Sequence, residues 1–156
     1  MLFRSKAEAA GGWSRRLLDA ALSRARKNGR GRPEDVRNAV LCRIEYKDGF
    51  RAASLMLPGL VNEYLFAGKV GGEIHSTLCY IPTENSNNFS PLVDAIGRMF
   101  TTGKTDCPVE RTLLVTGALA FLMESRHLGH KRIETPQLAI AYNAPAQSYY
   151  AHGPGS

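Results

Sequence analysis

The sequence predicts an α+β fold: a largely antiparallel open sheet with helices packed on one face. Two observations carry this. Between residues 40 and 81, apolar and polar residues alternate in four short runs joined by Gly- and Pro-containing turns, the mark of an antiparallel meander. Between residues 90 and 128, the period changes to that of two helices, and strands followed by helices give α+β rather than α/β. The 156 residues, 44% hydrophobic and 22% charged, suit one globular domain that needs no disulfide or metal scaffold.

The first element is a helix over 13–27. Trp13, Leu17, Leu18, Ala21 and Leu22 form one stripe, Ser14 caps it, and Asn28-Gly29-Arg30-Gly31-Arg32-Pro33 ends it. Val40 to Tyr46 is the first strand. Lys47-Asp48-Gly49 turns it tightly, with glycine at the position that needs positive φ. Phe50 to Leu57 returns antiparallel to Pro58-Gly59. A third strand spans Asn62 to Val70, and a fourth Ile74 to Ile81, with Gly71-Gly72 between them and the polar loop 83–88 after.

Ser90-Pro91 predicts a helix start, and Leu92, Val93, Ile96, Met99 and Phe100 its apolar stripe, with Gly103 at the position after the C-cap. Val109 to Leu128 reads as a longer helix. Leu113, Leu114, Gly117, Phe121 and Leu122 share a face, and Gly117 marks close backbone approach. Val93, Ile96, Phe100, Leu114, Phe121 and Leu122 are expected to face the sheet. Gly129 ends the helix, Leu138 to Tyr142 is a last short strand, and 143–156 is a flexible Ala/Pro/Gly/Ser/Tyr tail.

The net charge of +6 is local. Residues 1–32 carry +7 and the remaining 124 residues −1, so the main body offers no basic face for nucleic acid, and none is expected as a partner. No run of 18 apolar residues exists, and no membrane partner is expected. Cys42, Cys79 and Cys107, odd in number and widely spaced, read as reduced thiols of a cytoplasmic protein, with Cys42 and Cys79 as small core residues. Leu2-Phe3-Arg4-Ser5 matches a translated sequencing-adapter end. Residues 1–5 are therefore expected to be an artificial leader, with 6–37 as an N-terminal helix and basic loop, and the natural protein extending upstream.

Local motifs identify no reaction. Gly103-Lys104-Thr105 lacks the earlier glycine of a phosphate loop, since Arg98 holds that place, and a helix rather than a strand precedes it. No G-x-G-x-x-G and no G-x-S-x-G occur. His127 and His130, with Arg126, Lys131 and Arg132, fit the cation preference of a helix C-terminus better than a metal site, and no metal ligand is assigned. Glu63 and His75, on neighbouring strands, are expected to meet as a cross-strand surface pair rather than an acid–base couple.

Residues 38–142 resemble the C-terminal domain of Gfo/Idh/MocA-type oxidoreductases, the glucose–fructose oxidoreductase and inositol dehydrogenase superfamily. The carriers are Ile44-Glu45-Tyr46-Lys47-Asp48-Gly49-Phe50-Arg51-Ala52, Ser76-Thr77-Leu78-Cys79-Tyr80, and Pro91-Leu92-Val93-Asp94-Ala95-Ile96 leading to Thr102-Gly103-Lys104. Pro108-Val109-Glu110-Arg111-Thr112-Leu113-Leu114, Glu124-Ser125-Arg126-His127 and Arg132-Ile133-Glu134-Thr135-Pro136 follow in order. The resemblance implies a domain whose sheet walls a sugar or polyol site and often makes the oligomer contact. It also implies NAD or NADP held by an N-terminal Rossmann domain that is missing here. The family's E-K-P lysine and D-x-x-x-H pair have no counterpart, Asp19 being followed by Ser23, so the catalytic residues stay unknown. This chain alone is expected to bind no cofactor.

The reading is thus the substrate-binding and oligomerisation domain of an NAD(P)-dependent oxidoreductase, without its Rossmann domain. The alternative is a stand-alone non-catalytic binding or assembly module of the same fold. Arg43, Glu45 and Arg51, which share an alternation with Leu41 and Leu55, are the substrate-facing candidates. Leu41, Ala53, Leu55, Leu57, Leu65 and Ala67 make a second apolar sheet face, expected to be covered by another copy in a homo-oligomer, with residues 6–32 as the competing cover.

Overall fold

The computed structural model describes residues 13–26, 31–79, 81, 85–105 and 107–144. The adapter-like leader, the 27–30 part of the Gly/Arg loop and the tail beyond 144 lie outside the described residues. The fold is α+β: the described residues form two small antiparallel sheets and three α-helices, and the chain divides into two compact units, Met1–Tyr80 and Ile81–Ser156.

In the first unit, helix α1 spans Arg15–Leu22. Ser14 is the N-cap, its hydroxyl accepting the Leu17 N–H at 3.4 Å. The helix stops five residues short of expectation. The Arg24 and Ala25 N–H groups bond three residues back, tightening the last turn, and the Arg26 N–H donates to Glu63 Oε2 at 2.8 Å instead of continuing the helix. The predicted stripe is the inward one: Leu18 is buried with Ala39, Leu57 and Leu60, and Trp13 and Leu22 pack around them with Val36, Leu55 and Val61. A 3-10 turn, Pro33–Asp35, leads to the strands.

Strands β1 (Val40–Glu45) and β2 (Arg51–Met56) form one hairpin, and β3 (Tyr64–Val70) and β4 (Glu73–Cys79) another. The first has the expected tight loop. Tyr46 N–H donates to Phe50 O at 2.9 Å, Gly49 takes φ 86°, Asp48 Oδ1 accepts the Phe50 N–H, and the Tyr46 and Phe50 rings lie 5.4 Å apart. The second turns through Gly71-Gly72, as predicted.

The four strands do not make the single meander expected from the sequence; they make two two-stranded sheets. The link between β2 and β3 explains this. Leu57-Pro58-Gly59-Leu60 is a type II turn, with proline second, Gly59 third at φ 82°, and Leu60 N–H donating to Leu57 O at 3.1 Å. It points both leucines into the core instead of folding β3 back along β2.

Part of the face expected to await a second copy is covered from within. Leu57 is buried, and Leu41, Leu55, Leu65 and Ala67 are half-buried; Leu55 packs on the core cluster, and α1 lies against β3 and β4, with Arg24 Nε donating to Ser76 Oγ at 3.0 Å. Ala53 alone of that set is exposed. The open face is the opposite one, where Tyr64, Phe66 and Val70 are 58–69% exposed. Cys79, expected in the core, is exposed on this face opposite Tyr64; Cys42 is half-buried.

In the second unit, α2 is Asn85–Thr102 and α3 is Val109–His127. Helix α2 begins before the predicted Ser90-Pro91 start and carries Pro91 inside it. Its end is as predicted: Gly103 has φ 68° and its N–H reaches Met99 O at 2.9 Å, while the Thr101 and Thr102 hydroxyls donate to carbonyls one turn back. Asp94 and Arg98 pair one turn apart along the helix. Val93, Ile96 and Phe100, expected in the core, are exposed, Phe100 at 81%; Leu114, Phe121 and Leu122 are half-buried. No described residue of this unit is fully buried, because two helices and one returning segment cannot surround a side chain.

That returning segment replaces the predicted strand 138–142. Pro136–Leu138 is a 3-10 turn, and 139–142 forms no strand. Leu138 is drawn onto α3 at Gly117, where an added Cβ would collide with Leu138 Cδ2, the close approach the glycine implied. Alanine at Gly117 should gain about 1 kcal/mol of helix propensity but must push that methyl aside. Gly117→Ala is therefore expected to be near neutral in the wild-type chain and clearly stabilising beside Leu138→Ala. A double-mutant cycle in urea checks this, and equal effects in both backgrounds would show no contact.

Candidate functional site

The three substrate-facing candidates lie together at the outer end of the β1–β2 hairpin. The register pairs Leu41 with Leu55, Arg43 with Ala53, and Glu45 with Arg51, all on one face. The inner end of that face is apolar, with Leu55 against the core cluster; the outer end is charged, and Arg43, Glu45 and Arg51 are exposed. The shared face is the one that sequence alternation gives for all three. The strand pairing adds that Arg43 and Arg51 are diagonal neighbours across Ala53, about 7–8 Å apart at the backbone. Among the described residues neither guanidinium has a hydrogen bond or ion pair.

Glu63 and His75 are not brought together. His75 pairs with Gly68, five residues along the ladder from Glu63, or roughly 16 Å at the rise of a strand. Glu63 instead accepts the Arg26 N–H. At the end of α3, His130 adopts φ 67° after Gly129 at φ 77°, and Ser125 holds the turn: its carbonyl accepts the His130 N–H at 2.7 Å and its hydroxyl donates to Lys131 O at 2.6 Å. Cys107 precedes α3, with Arg111 Nη1 3.9 Å from its sulfur. Among the described residues no group of three His, Cys, Asp or Glu side chains has the arrangement of a metal site. No described helix is long and apolar enough to cross a membrane.

One ionic cluster escaped sequence reasoning. Arg15 pairs with Asp19, one turn along α1, and with Glu34 in the 3-10 turn. The i,i+4 spacing of the first pair is visible in the sequence; the second needs the chain to double back. The Glu34 carboxyl is held below its ordinary range, first by its own backbone N–H and then by Arg15, and the Arg15 guanidinium is pushed up, first by Asp19 and then by Glu34. A depressed carboxylate contributes stability above its unfolded pKa and loses it as pH falls through the folded value. Glu34→Gln should therefore flatten the stability decline of the first unit below about pH 4.5. The effect should be small, because these side chains are solvent-screened. Urea midpoints at pH 6 and pH 3 check it; an unchanged pH slope would count against the Arg15–Glu34 contact.

No family model, curated protein or solved structure matches the chain.

Proposed function

We propose that this chain is the substrate-side domain of an NAD(P)-dependent oxidoreductase of the Gfo/Idh/MocA type, acting on a sugar, polyol or related compound in a cytoplasmic setting. The observation that carries the reading is the ordered series of motifs from Ile44 to Pro136. The hairpin's charged outer face gives such a domain a place to meet substrate. In this reading a Rossmann domain outside these 156 residues would hold the dinucleotide, NAD or NADP, which would supply hydride-transfer chemistry, and the hairpin would be one wall of the substrate site. The catalytic residues, unknown here, lie upstream of this chain in that reading.

The isolated chain should then bind neither dinucleotide, since phosphate binding needs a glycine-rich strand–helix turn. Calorimetric titration checks this, and micromolar binding of NAD or NADP would overturn it. The coding sequence upstream of Met1 tests the parent enzyme: a G-x-G-x-x-G followed by an E-K-P supports it, and their absence from the natural gene overturns it.

One observation favours a second reading, an assembly module without catalysis. Tyr64, Phe66 and Val70 form an open apolar face on the second hairpin. Under either reading that face is the proposed homo-oligomer contact. Phe66→Lys should shift the sedimentation of the purified chain toward monomer, whereas a chain that is monomeric before the substitution removes the contact.

A further inference from the structure

We infer that α2 is a self-association helix, its apolar stripe packing antiparallel against the same stripe of a second copy of this chain. The inference does not rest on the oxidoreductase reading, and the contact is separate from the one proposed on the second hairpin. Phe89, Leu92, Val93, Ile96, Met99 and Phe100 recur at the spacing of one helix face. That face points to solvent, with exposures from 40% at Met99 to 81% at Phe100. Pro91, Ala95 and Arg98, on another side of the helix, are half-buried instead. The helix thus turns its apolar side outward, where burial against a partner stabilises it and water does not.

The stripe has the same spacing read from either end. Leu92 and Val93 stand one turn before Ile96, and Met99 and Phe100 stand one turn after it. A two-fold axis at Ile96 sets that residue against itself, Leu92 against Phe100, and Val93 against Met99. Each smaller side chain then faces a larger one, the self-complementarity that a symmetric contact between two copies requires. Charge agrees with this occupant. Helix α2 carries only Asp94 and Arg98, which pair with each other away from the stripe. No charge stands among the six apolar residues to repel a second copy or to select a charged partner. The area agrees too. At 40–81% exposure the six side chains leave on the order of 600 Å² per copy, the upper end of what monomers expose in one patch and near the ~800 Å² per partner of a stable interface.

The test is sedimentation equilibrium of the full chain carrying Phe66→Lys, so that the α2 contact is read alone. This chain should pass from monomer to dimer between about 1 and 100 μM. Ile96→Lys and Ile96→Glu, each added singly, should weaken the dimer at least ten-fold. Thr101→Lys, exposed and off the stripe, should leave it unchanged. An equimolar mixture of the Ile96→Lys and Ile96→Glu chains should recover association, because the two-fold axis places residue 96 of one copy against residue 96 of the other. Urea unfolding followed by far-ultraviolet circular dichroism at about 1 μM, where the chain is monomeric, should give the same midpoint with and without Ile96→Lys. A chain that stays monomeric at about 100 μM, or a dimer that survives both Ile96 substitutions, overturns the contact. A mixture that fails to recover overturns the two-fold pairing at Ile96. A midpoint lowered by Ile96→Lys in the monomer overturns the inference as well, since the stripe is then covered within one chain.

Discussion

Replacing Leu57 by alanine should destabilise the first unit by about 2–5 kcal/mol, the usual cost of removing a buried leucine side chain. The upper part of that range is expected. Among the described residues the buried cluster has four members, Leu18, Ala39, Leu57 and Leu60, so Leu57 is a large share of it. Leu57 also joins β2 to the type II turn and lies under α1, so its loss opens a cavity where three segments meet. The unit carries its own reporter: Trp13 is the sole tryptophan, and it packs against this cluster. Urea unfolding followed by tryptophan fluorescence should show the midpoint falling with the slope preserved. Met56→Ala, one residue away but exposed, is the control and should lie within about 0.5 kcal/mol of wild type. Equal effects at the two positions would show that the inward face has been misassigned.

What the sequence discloses depends on how local the cause is. Ser14 capping, the Lys47-Asp48-Gly49 loop, the Gly71-Gly72 turn and the Gly103 helix end are all settled within a few residues, and all four stand where the sequence puts them. Errors begin where one segment must choose between distant partners. The meander failed because alternation describes each strand but not which strands pair, and the Leu57–Leu60 turn commits the chain to a different path. The strand expected at 138–142 failed for the same reason. Its apolar residues suit an edge strand, but Leu138 finds the notch at Gly117 instead. Of the sheet face assigned to a second copy, the β3–β4 part lies against α1, because Arg24 and Arg26 tie the end of that helix to Ser76 and Glu63, whereas Ala53 on the first hairpin stays exposed. In the candidate site, alternation alone put Arg43, Glu45 and Arg51 on one face. The diagonal relation of the two arginines needed the pairing register, which no single strand encodes.

Gly59 separates backbone strain from packing, because an added Cβ there meets nothing within 4 Å. Whatever a substitution costs must come from the φ of 82°, a region that L-residues rarely enter. Gly59→Val should cost about 1–3 kcal/mol, since a β-branched residue is held most strongly away from positive φ. Gly59→Ala should cost less than valine. Gly59→Asn should cost least, because asparagine tolerates the left-handed region. A loss near the upper end would rival the leucine truncation although no contact is removed. The turn sets the directions of Leu57 and Leu60 together, so relaxing its strain by flipping the peptide would unseat both from the core. Urea midpoints from Trp13 fluorescence should follow the order Gly, Asn, Ala, Val. Alanine as stable as asparagine would mean that the left-handed conformation at residue 59 is not what holds this corner.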